Sequence, residues 1–123
     1  MNKTIYQDEF RTVEIIHEEI YKNHKFIITH TNGTDELNYN WHCGYVEVKK
    51  EHPYFDVDYE NLDNIECHGG LTYSGYLFKK KLNDNNYYIG FDTNHFDSFE
   101  ANNLNSCVKE CKNIIEQLIK IKN

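Results

Sequence analysis

Leu104-Asn105-Ser106-Cys107-Val108-Lys109-Glu110-Cys111-Lys112-Asn113-Ile114-Ile115-Glu116-Gln117-Leu118-Ile119-Lys120 is the stretch that decides the fold. Its apolar residues, Leu104, Cys107, Val108, Cys111, Ile114, Ile115, Leu118 and Ile119, recur at steps of three and four, which stacks them along one side of an α-helix. Asn105 or Ser106 is the expected cap, and Lys120 with Lys122 complements the negative end of the helix dipole. A helix of this length is marginal alone in water, so it needs an apolar surface to cover. The remainder of the chain must supply that surface, and it reads as strands.

Residues 41 to 49 alternate Trp41, Cys43, Tyr45, Glu47 and Lys49 against His42, Gly44, Val46 and Val48, the pattern of a central strand. Gly44 within it suits a bulge or a close backbone approach. His52-Pro53 stops the strand, because proline restricts the residue before it and lacks a ladder donor. Residues 10 to 21 fit both periods: Phe10, Val13, Ile16 and Ile20 form a helical stripe, whereas Val13-Glu14-Ile15 and Ile20-Tyr21 have strand chemistry. The polar turn Lys22-Asn23-His24-Lys25 before Phe26-Ile27-Ile28-Thr29 makes a hairpin the economical reading. Asn32-Gly33-Thr34-Asp35 reads as a loop, and residues 56 to 63 as an acidic connection with room for one helical turn. Residues 65 to 73 and 87 to 91 read as further strands, 76 to 78 as a weaker one, and 82 to 86 as a turn. The expectation is an α+β fold: a twisted antiparallel sheet of about five strands with the C-terminal amphipathic helix packed on one face.

The chain has 123 residues, a prior for one domain over residues 1 to 123. Twenty acidic against 13 basic residues leave a formal charge of −7, which argues against duplex DNA and anionic membranes as partners. Aromatic residues make up 15%, too many for a disordered acidic chain. Neither an apolar leader nor a membrane-spanning run stands out, so a cytoplasmic location is expected. Cys43, Cys67, Cys107 and Cys111 contain no C-x-x-C pair and read as thiols. His42-Cys43 and Cys67-His68 are adjacent pairs that point to opposite faces of a strand, so no metal site and no cofactor is expected. A Cys-His hydrolase would need an electropositive setting for its thiol that this acidic chain does not advertise.

Two polar constellations remain. In Glu66-Cys67-His68-Gly69-Gly70-Leu71-Thr72-Tyr73-Ser74-Gly75, the Gly69-Gly70 backbone beside Thr72 and Ser74 hydroxyls can hold an anion or a carbonyl, although a glycine bulge in a bent strand explains it equally. Neither the P-loop spacing nor the dinucleotide fingerprint is present. In Gly90-Phe91-Asp92-Thr93-Asn94-His95, Asp92 is placed to orient His95 or His68 as a general base, or to close a local turn on the amides that follow it. Trp41, Tyr45 and Tyr73 supply faces on which a planar ring can stack, while cross-strand aromatic ladders account for many such residues.

Trp41-x-Cys43-Gly44-Tyr45-Val46, His52-Pro53-x-Phe55, His68-Gly69-Gly70-Leu71-Thr72-Tyr73 and Gly90-Phe91-Asp92-x-x-His95 resemble the motifs of a loosely defined family of small phage and prophage accessory proteins. The likeness covers residues 41 to 95, and it implies a phage accessory protein, some of which counter bacterial defence. It carries over no catalytic residue. The functional expectation is an anti-defence protein that sequesters a small nucleotide-derived signal between Trp41, Tyr45, His68, Gly69, Gly70, Thr72, Tyr73, Asp92 and His95. Two alternatives stand beside it. One is an acidic mimic, built on Glu51, Asp56, Asp58, Glu60 and Asp63, that occupies a basic groove of a host nucleic-acid enzyme or defence protein. The other is a small hydrolase in which His68 or His95, poised by Asp92, acts on a nucleotide. A homo-oligomer stays open.

Overall fold

The structure, a computed structural model, describes residues 2–33, 40–62, 64–94 and 101–121. Six strands form one antiparallel sheet: β1 (Lys3–Gln7), β2 (Arg11–Tyr21), β3 (His24–Gly33), β4 (Asn40–Val48), β5 (Tyr73–Gly75) and β6 (Tyr87–Asp92). Their order across the sheet is β1-β2-β3-β4-β6-β5. Two helices follow the same chain, α1 (Lys79–Leu82) and α2 (Leu104–Lys120). The architecture is the expected α+β one, with six strands where five were anticipated. No helix among the described residues is long and apolar enough to cross a membrane.

The ambiguous residues 10 to 21 are strand. Tyr21 pairs with His24, leaving Lys22 and Asn23 as a two-residue loop, and both have positive φ, 48° and 70°. That is the signature of the primed turn whose twist matches the flanking strands, so the turn imposes the hairpin. The register of β2 on β3 slips between Ile15 and His17, and the extra residue, Ile16, packs against the main core.

Two other expectations are corrected. Residues 65 to 72 are not strand, because Gly69 and Gly70 take φ of 73° and 78° within a turn closed by the Gly70 N–H on the Cys67 carbonyl at 3.0 Å. Only Tyr73–Gly75 joins the ladder, beside β6. Residues 76 to 78 are likewise not strand: the chain turns there into α1, which ends on Asn83 in the left-handed region. The acidic connection does hold one 3₁₀ turn, Tyr59–Asn61, capped by the Asp58 carboxylate. The cap of α2 is Asn103, whose side chain accepts from the Ser106 N–H at 2.8 Å, two to three residues before the caps expected from sequence.

Strand periodicity then sorts the core. Phe26 and Ile28 of β3, Val46 and Val48 of β4, and Tyr87, Ile89 and Phe91 of β6 share one face and meet Cys107, Cys111, Ile114, Ile115 and Leu118 of α2. Gly44 lies on this face at the crossing. A Cβ there would stand 2.5 Å from two Phe91 ring carbons and 2.8 Å from the Cys111 Sγ. Its missing side chain is what lets the helix reach the sheet. The opposite face carries a smaller cluster, Ile15, Ile27, Phe78 and Tyr88, to which the segment ending in α1 contributes Phe78 and Leu82.

The far end of α2 is fastened by His52. Its Nε2–H donates to the Leu118 carbonyl at 2.8 Å while Nδ1 accepts from the Tyr54 N–H at 3.0 Å, so one neutral tautomer serves both bonds. The stop that Pro53 imposes on β4 therefore doubles as a helix clasp.

The Gly44 contact is testable. Gly44→Ala should cost about 1–3 kcal/mol, the usual range for overpacking a tight core, and appear as a lower urea midpoint with an unchanged slope. An unaltered midpoint would show that the helix does not sit down on Gly44.

Candidate functional site

The face of the sheet turned away from α2 carries Thr29, Cys43, Tyr45, Gly90, Asp92 and Tyr73, brought side by side by the β3-β4-β6-β5 register. Gly90 is again a residue defined by what it lacks: a Cβ would lie 2.6 Å from the Gly44 carbonyl and 2.8 Å from Cδ1 of Tyr45. The Tyr45 ring thus lies across Gly90, between Tyr73 (centroids 5.7 Å apart) and Phe78 (5.1 Å, edge-on), and Phe78 meets Tyr88 at 5.1 Å. An aromatic wall results.

A polar end adjoins that wall. The Thr72 hydroxyl donates to Asp92 Oδ2 at 3.0 Å, and the Thr72 N–H donates to the Gly90 carbonyl at 2.8 Å. Asp92 Oδ1 accepts from the Asn94 N–H at 2.9 Å, which is the local turn anticipated as the alternative to a catalytic role. Cys43 Sγ lies 3.9 Å from the Tyr73 hydroxyl. The Thr29 hydroxyl, buried beneath this group, has no partner among the described residues. Burial first, then the neighbouring Cys43 and Asp92, raises the Tyr73 pKa far above its ordinary value, and burial does the same for Tyr45. Both phenols are therefore neutral donors over the physiological range.

Of the residues expected from sequence, Tyr45, Thr72, Tyr73 and Asp92 come together here. Trp41 shares the face by strand alternation but stands four residues along β4 from Tyr45, about 13 Å at ordinary strand rise. His68 lies on the helix side, and Gly69 and Gly70 form the turn that follows it. The His68 N–H donates to Glu110 Oε1 of α2 at 3.3 Å, and its side lines a cavity of about 150 Å³ with Phe91, Thr93, Ser106 and Cys107. Phe91 and Asp92, adjacent on β6, point to opposite faces, so the strand separates this cavity from the aromatic wall. His95 falls outside the described residues.

A polar network at the same end of the sheet was not foreseen. The His42 Nδ1–H donates to Asn102 Oδ1 at 2.7 Å, the Thr93 hydroxyl donates to the same oxygen at 2.8 Å, and Asn102 Nδ2 donates to the Asn40 carbonyl at 3.0 Å. His30 Nε2 reaches Asn40 Oδ1 at 3.0 Å, and its ring lies 4.7 Å from that of His42. Alternation along β4 does put His42 on the buried face, the one signal available in sequence. Its partner Asn102 is 60 residues away, beyond the reach of local pattern.

The thiols are quiet. Burial pushes Cys67 and Cys107 up to about 12, and raises Cys43 and Cys111 as well, so none is a thiolate near neutral pH. All four are free. Among the described residues no group of three or more His, Cys, Asp or Glu is placed to hold a metal ion. Compared with models of known protein families, with curated proteins and with solved structures, the chain matches none.

His42 gives a pH prediction. Burial lowers its pKa below the ordinary 6.5, His30 adds to this, and the Asn102 bond opposes it. The unfolded chain then takes up the proton first, so this group's stability is complete above about pH 6.5 and is lost as pH falls from there toward the folded value. Urea unfolding between about pH 7.5 and pH 5 should show that decline, at a slope of at most about 1.4 kcal/mol per pH unit for one proton. His42→Gln should flatten it, and an equal slope in the variant would remove His42 as its source.

Proposed function

We propose that this chain is a non-catalytic accessory protein of phage type that binds and sequesters a small nucleotide-derived signal on the sheet face opposite α2. The observation that carries the reading is the Tyr45–Tyr73 pair, rings 5.7 Å apart, beside the hydrogen-bonded Thr72–Asp92 couple. Aromatic faces stack on any base, and a carboxylate with a hydroxyl accepts from base amines or ribose hydroxyls. The likeness of the 41 to 95 motifs to phage accessory proteins points the same way.

Among the described residues the positions of the groups favour binding over hydrolysis. A histidine poised by Asp92 needs contact with it, and His68 lies on the helix side of β6, while His95, the other candidate, falls outside the described residues. Raised thiol pKa values disfavour the cysteine route. The acidic mimic is weakened because two of its carboxylates have structural partners: Asp58 caps the 3₁₀ turn, and Asp56 accepts from the Tyr76 hydroxyl at 3.2 Å.

Native mass spectrometry of protein purified from phage-bearing bacteria, followed by denaturation and analysis of the released small molecules, tests the proposal. One nucleotide-like compound per chain, released unchanged, is expected, and Tyr73→Ala and Asp92→Asn should lose it while remaining folded. An altered compound would make the protein an enzyme. An empty protein whose association with a host protein is salt-sensitive would favour the mimic.

A further inference from the structure

We draw no further inference here: the strongest candidate, the surface concavity of about 530 Å³ beside the end of β2 that β1 does not pair, where Ile20 stands 71% exposed between Glu18, Glu19 and Lys25, carries none because nothing in the structure shows what covers it.

Discussion

The seat of α2 on Gly44 is the contact from which the rest of the structure follows. A side chain there would collide with Phe91 and Cys111, so only glycine lets the helix descend until Cys107, Cys111, Ile114, Ile115 and Leu118 close over the sheet. Once that face is sealed, strand alternation commits Cys43, Tyr45, Asp92 and Tyr73 to the other side. Gly90 repeats the device there, making room for the Tyr45 ring. Two glycines paired to neighbours on adjacent strands thus set the thickness of the layer on each side.

The fold was legible wherever one period ran long enough. The three-and-four spacing of 104 to 120 gave α2, and the alternation of 41 to 49 gave β4. Residues 10 to 21 carried two periods at once, and the two positive-φ residues at Lys22 and Asn23, a feature of the turn rather than of the strands, decide between them. Residues 65 to 72 misled because Ile65, Leu71, Thr72 and Tyr73 have strand chemistry, while Gly69 and Gly70, both at positive φ, turn the chain away from extended backbone there. Local composition reports side-chain preference, and here the backbone of two glycines overrode it.

The candidate site was legible in part for a related reason. Tyr45, Thr72, Tyr73 and Asp92 were singled out by chemistry and do converge, since β4, β5 and β6 are neighbours. His68 was grouped with them because it is close in sequence to Thr72, yet the turn at Gly69 and Gly70 carries it to the helix side, against Glu110.

The central claim is that the sealed face is structural and the open face binds. Amide hydrogen exchange of the full chain, with and without a pooled set of nucleosides and nucleotides, tests it most directly, because exchange reports each strand separately. The account predicts added protection at 43–45, 72–75 and 90–92, with the α2 amides from Cys107 to Leu118 unchanged. Added protection confined to α2 and the His68 turn, or none anywhere, would contradict it.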